Sequence, residues 1–240
     1  MAFGHSPSGL LLPGIDRATE REAVHLCARD YLEHHVFFGK YNFHNHLNHQ
    51  LLAVFSMGGS PKRLQEIFDG NKAIQRPTMP MHETRINASN FTEFLPKEKN
   101  YPDFLAFFHK ELDAAGDDWH AVVLKYTIDN GMLPYFMSEA CYPLIQIGYG
   151  LEFDSKAITA MALVQTCVHK PQIDALYHSE PFEEMRANLA SAPDNDISLL
   201  QVLEKLCDES SVADIEFKPS ILVDDNVALG NKLAAKYSKL

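Results

Sequence analysis

Three histidines, His44, His46 and His49, stand within six residues, and an almost unbroken apolar run from Leu51 to Met57 follows them. In a helix, residues three apart lie on one face with Cβ atoms about 5–6 Å apart, so His46 and His49 share a face with Gln50 and Ala53. Leu47, Leu51, Leu52, Val54 and Phe55 fill the other sides, and a helix apolar nearly all round is normally buried. Imidazoles buried there need partners, because an unpaired polar group in an apolar place costs on the order of 1–3 kcal/mol. Those partners are either a metal, for which an i, i+3 histidine pair supplies two adjacent ligands, or hydrogen-bonding protein groups. His44 lies off that face and joins it only from a turn before the helix, with Asn42 or Asn45 as cap.

The 240 residues have room for a substantial core, and 46% hydrophobic with 22% charged residues is ordinary for a water-soluble fold. A formal charge of −11 without a basic cluster argues against nucleic acid and against an anionic membrane surface as partners. No run approaches the ~18 apolar residues of a membrane span. Cys27, Cys141, Cys167 and Cys207 are scattered and form no CxxC, the pattern of buried free thiols in a reducing compartment. Ser238-Lys239-Leu240 matches the tripeptide read by the peroxisomal import receptor, so the expected location is peroxisomal, with cytoplasmic as the alternative.

Along the chain, residues 1–17 read as an extended arm and 18–240 as a single helical domain. Thr19-Glu20-Arg21-Glu22 is a capping box opening a helix that carries His34 and His35 at its negative C-terminal pole and stops at Gly39. Ser60-Pro61 starts a helix ending near Gly70. Residues 71–99 form a long irregular crossing. Further helices follow from Asn100 to Leu112 and from Asp117 to Ile128, bringing His109 and His120 to either side of a turn at Gly116. Residues 133–153, interrupted by Pro134, Pro143, Gly148 and Gly150, predict a kinked helix. Asp154-Ser155 caps another helix, to His169-Lys170, that Pro171 stops, and helices are expected from Asp196 and from Asn226. Ile215-Glu216-Phe217 is the single strand candidate. The fold class is all-α: a predominantly helical, irregular bundle around a buried histidine-bearing helix. No GxGxxG, P-loop or nucleophile elbow is present.

Several stretches together resemble the questin oxidase-like family, fungal oxidative tailoring proteins that open anthraquinone-type rings in aromatic polyketide pathways. They are Tyr31 to Phe38, Phe43-His44-Asn45-His46-x-x-His49 into Leu51-Leu52-Ala53, and Gly58-Gly59-Ser60-Pro61. Farther on come Gln75-Arg76-Pro77, Phe104-Leu105-x-Phe107-Phe108, Pro143-Leu144-Ile145 with Gly148 to Phe153, and Val168-His169. The likeness is strongest over residues 25–170. The family reads His-Pro-Leu-Ile-His-Leu-Gly where this chain has Tyr142-Pro143-Leu144-Ile145-Gln146-Ile147-Gly148, so tyrosine and glutamine replace two histidines.

The resemblance implies an oxidoreductase acting with O₂ on an aromatic small molecule, through catalytic residues His46, His49, Tyr142 and Gln146. It further implies iron held by His46 and His49 with His44 nearby, or NADPH as reductant in a Baeyer–Villiger-type oxidation. A second reading is metal-free, with the histidines as general bases toward an aromatic ligand. A third is a catalytically inactive member that binds a ligand or a partner.

Overall fold

A computed structural model describes residues 15–39, 43–80, 85–171, 187 and 199–208. The chain divides into two compact units, residues 1–170 and 171–240, where the sequence reading takes 18–240 as one domain. Within the first, the elements in order are α1 (Arg17–Glu33), β1 (His34–Phe38), β2 (Phe43–His44), α2 (Leu47–Ser56), α3 (Pro61–Asn71) and β3 (Gln75–Pro77). Then come α4 (Tyr101–Ala114), α5 (His120–Leu124), α6 (Leu133–Phe136), α7 (Ser138–Glu152) and α8 (Lys156–Val168). The described part of the second unit holds α9 (Leu199–Cys207). The fold is mainly α, with one small sheet. Among the described residues no helix is long and apolar enough to cross a membrane. The expected arm (apart from its last residues), the Ile215–Phe217 strand, the tail helix and Ser238-Lys239-Leu240 lie outside the described residues.

The first difference from the sequence reading is at the end of α1. Its cap is Asp16, three residues before Thr19, accepting from Thr19 N at 2.7 Å, and the helix stops at Glu33 instead of reaching Gly39. His34 to Phe38 then run as a strand at the centre of a three-stranded antiparallel sheet, order β2-β1-β3, with Phe37 opposite His44 and Phe38 opposite Gln75. Local signals favoured helix continuation. The strand exists because two distant segments pair with it, a contribution that helical periodicity cannot register.

Asp30 explains why the sheet sits where it does. Its side chain is fully buried, and Oδ1 accepts from His34 Nδ1 at 2.8 Å and from Asn45 Nδ2 at 2.9 Å. Asn45 in turn receives Leu47 N on its Oδ1 at 2.9 Å and donates its backbone N–H to Val36 O at 2.8 Å. One carboxylate thus ties α1, β1 and the turn into α2 together.

The most thoroughly buried helix is α8, not α2. From Ile158 to Val168 every residue is buried, and Ser155 caps it as the sequence predicts. In α2 only Leu47, Asn48, His49, Leu51, Leu52 and Phe55 are buried, and Gln50 is exposed. Two apolar clusters meet along α8. One holds Phe104, Phe107, Phe108, Trp119, Tyr126 and Met161; the other holds Leu26, Leu51, Leu64, Phe68 and Ile158. Tyr126 lies on a π-helical turn after α5 and meets the rings of Phe91, Phe107 and Phe108 edge-on at 5.3–5.5 Å. Such contacts favour the aromatic quadrupoles beyond simple area burial.

Helix α7 is broken as its prolines predict. Ala140 and Cys141 take left-handed backbone angles, φ 57° and 63°, just before Pro143. A side chain there costs about 1–2 kcal/mol per residue relative to right-handed helix, so neighbouring packing must hold the turn. Farther along, α7 runs close to α8. A Cβ on Gly150 would stand 2.3 Å from Thr159 Oγ1 and 3.0 Å from its backbone N, so only glycine permits that approach.

Asp30→Ala should lower unfolding stability by about 2–4 kcal/mol, because it strands His34 and Asn45 donors in a dry place. Asp30→Asn, which keeps an acceptor at Oδ1, should cost less. Denaturant midpoints check this, and an alanine effect below about 0.5 kcal/mol would contradict the proposed tie.

Candidate active site

The pocket grows out of the turn that Asn45 fixes. His44 ends β2, His46 is the residue before α2 rather than part of it, and His49 lies in its first turn. His46 is exposed, so the shared buried helix face expected for His46 and His49 does not form. Their rings still meet edge-on, centroids 5.7 Å apart.

Helix α7 supplies the facing wall. Tyr142 stacks on His44 at 4.5 Å and meets His46 edge-on at 4.7 Å. Gln146 Oε1 accepts a hydrogen bond from His49 Nε2, and Tyr149 stacks on the same imidazole at 5.0 Å. The structure therefore brings together all five residues singled out from the sequence: His44, His46, His49, Tyr142 and Gln146. Two neighbours escaped that reading. Tyr149 covers His49, and His169, at the end of α8, meets His44 edge-on at 5.7 Å. In the sequence His169 reads as a helix-end residue before Pro171, and only spatial proximity to His44 reveals it.

Burial sets the charge of these rings. It pushes His44 down to about 3, with His169, His46 and His49 adding like-charge repulsion. It pushes His49 down to about 4 against the opposing effect of its bond to Gln146. His169 is lowered as well, again through burial. The three are neutral imidazoles at physiological pH, each offering one N–H and one lone pair. With its proton on Nε2 toward Gln146, His49 carries its lone pair on Nδ1. His169 Nε2 donates to Tyr135 O at 2.7 Å, which leaves its lone pair on Nδ1.

Three buried polar atoms here have no hydrogen-bond partner: His44 Nε2, Gln146 Nε2 and His169 Nδ1. Unpaired buried polar atoms are uncommon in native folds and often mark a place for a ligand or water. As a metal centre the donors do not fit, since among the described residues no three His, Cys, Asp or Glu side chains form a group able to hold an ion. His49 Nε2 is engaged by an amide, and Gln146 and Tyr142 occupy the facing wall.

A wider cavity of ≈ 590 Å³ lies elsewhere and is bordered by both His109 and His120, the pair expected to flank the Gly116 turn. His109 is held by Tyr31 OH, while Asp113, Asp117 and His120 are exposed, so this is a solvated groove without unpaired buried groups.

Comparison with known proteins places the chain in a family. A family model described as Questin oxidase-like matches residues 43–236. Baeyer-Villiger oxidase ptaJ of Pestalotiopsis fici is 32% identical over 193 residues, covering 77% of this chain and 42% of that protein. Questin oxidase of Aspergillus fumigatus is 32% identical over 202 residues, covering 78% and 44%. Baeyer-Villiger oxidase mdpL of Emericella nidulans is 32% identical over 154 residues, covering 60% and 34%. The chain spans less than half the length of these curated relatives. It belongs to the questin oxidase-like family.

Proposed function

We propose that the chain is an oxidoreductase of aromatic secondary metabolism, acting on a hydroxylated, carbonyl-bearing ring of anthraquinone type in the pocket of His44, His46, His49, Tyr142 and Gln146. The observation that carries this reading is Gln146 Nε2, a buried donor without a partner beside a bank of neutral imidazoles. An unpaired amide N–H at that depth suits a carbonyl oxygen, the group a Baeyer–Villiger-type reaction needs. The names of the relatives point the same way.

Such a reaction places one atom of O₂ between a carbonyl carbon and its neighbour. The second atom leaves as water, with a hydride drawn from a reductant such as NADPH and one further proton from solvent. On this reading the protein's part is positioning and proton handling. Gln146 Nε2 holds the carbonyl and stabilises negative charge that develops on its oxygen. The lone pair of His49 Nδ1 accepts a proton from a substrate hydroxyl. An imidazole with so low a pKa is a weak base in the empty pocket, but a phenolate formed beside it raises that pKa in turn. Tyr142 and Tyr149 stack with the imidazoles and keep them in place.

The test is incubation with a hydroxyanthraquinone, O₂ and NADPH, reading oxygen consumption and a product heavier by one oxygen atom. Gln146→Leu, nearly the same shape without the amide, should lower kcat/KM by roughly 10–100-fold with unchanged circular dichroism. Full activity in that variant would sink the role.

Metal content separates this reading from the iron-bound one. Protein purified without a His tag and loaded with Fe(II) should hold far less than one equivalent, unchanged in His46→Ala and His49→Ala. One equivalent in the wild type, lost in either variant, would reinstate iron.

The acid dependence of stability follows from the same rings. His35, His44 and His49 titrate near 4, 3 and 4 in the folded chain, lowered chiefly by burial, against 6.5 when unfolded. Below 6.5 the unfolded chain binds protons first. Their contribution is therefore complete above that pH and lost as pH falls toward 3–4, about 1–2 kcal/mol per ring by pH 5. Thermal unfolding between pH 7 and 5 should show a falling Tm. A flat Tm would mean that the rings are solvated.

A further inference from the structure

His44 and His169 also line a cavity of ≈ 270 Å³, together with Phe37, Pro96, Val168, Glu98 and Lys170. Phe37 and His169 both meet His44 edge-on, at 5.3 and 5.7 Å, whereas Tyr142 stacks on its face and takes no part in this lining. His44 is 3% and His169 6% exposed, and each keeps one buried ring nitrogen without a partner. The His169 nitrogen can be identified chemically. Since Nε2–H is spent on Tyr135 O, the orphan Nδ1 of the neutral ring is a pure acceptor, and it wants a donor.

Size narrows the donor. A cavity of roughly 150 Å³ is enough for benzene, and drug-sized ligands occupy about 300–1,000 Å³. The space here suits one ring with a substituent, not three fused rings. Phe37, Pro96 and Val168 suit the flat faces of that ring, beside the charged side chains of Glu98 and Lys170. We propose that this cavity binds a single hydroxylated aromatic ring, its hydroxyl donating to His169 Nδ1 and lying within reach of His44 Nε2. The ring is either a free phenol or the hydroxylated end of a larger aromatic molecule. The choice of an aromatic ligand rests on the oxidoreductase reading; the site itself rests on the cavity and the orphan nitrogen. His169 is thereby a binding residue for the ligand hydroxyl.

The probe pair is 4-nitrophenol and 4-nitroanisole, alike in shape except that the ether has no donor. Equilibrium dialysis on the full chain, below the phenol's own pKa, should show the phenol bound about tenfold tighter, the value of one good hydrogen bond. His169→Asn keeps an acceptor at the δ position and should retain most of that preference. His169→Gln moves the amide to the ε position, where it can replace only the bond to Tyr135 O, and should lose the preference while folding normally. His169→Phe should lose it too. Equal affinity for the two probes, binding of neither, or a preference that survives in His169→Gln would overturn the proposal. Turnover is not read in this experiment. A chain that selects the phenol but oxidises no hydroxyanthraquinone rejects the activity and leaves the site standing; failure to select rejects the site, while oxygen consumption decides the activity.

Discussion

A single buried carboxylate, Asp30, hydrogen-bonds across three segments that strand pairing and apolar packing also bring together. Its Oδ1 receives His34 from the start of the strand and Asn45 from the turn before α2. Asn45 then presents its own oxygen to the first N–H of that helix. His44 and His46, on either side of Asn45, both meet the ring of Tyr142. Both therefore face α7, although one is buried and the other exposed. The turn that carries these histidines is tied, through Asn45, to Asp30.

The rest of the first unit keeps this arrangement dry. With eleven consecutive residues buried, α8 belongs to both apolar clusters and meets solvent only at its first turn, Lys156 and Ala157. It ends at His169, whose Nε2 is anchored on the carbonyl of Tyr135. Depth, not a neighbouring cation, is the main reason that His44 and His49 stay uncharged. The pocket therefore presents lone pairs and N–H groups where a shallower site would present imidazolium ions, and its selectivity follows hydrogen-bond geometry more than charge.

Local grammar made much of this readable in advance. Ser60-Pro61 and Ser155 announced α3 and α8, the prolines at 134 and 143 announced the broken helix, and the aromatic run after Asn100 announced α4. The grouping of His44, His46 and His49 with Tyr142 and Gln146 came from family likeness, since nothing in the spacing alone links positions a hundred residues apart. What stayed hidden was non-local. His34 to Phe38 form a strand only because segments at 43–44 and 75–77 pair with them. His169 looked like a helix terminator because its partner, His44, is distant in sequence. The role of Asp30 had no local signature at all, being set by donors four and fifteen residues away.

Helix α7 carries Tyr142, Gln146 and Tyr149 at spacings of four and three, so the phenol on His44 and the amide and phenol on His49 form one stripe. That stripe is indexed against α8 at Gly150, where Thr159 leaves no room for a Cβ. A helix advances about 100° per residue, so a slip of one residue at the glycine would carry all three side chains off the histidines at once. The wall of the pocket behaves as one toothed part, and its setting is decided a full turn beyond Gln146, at a position with no side chain of its own.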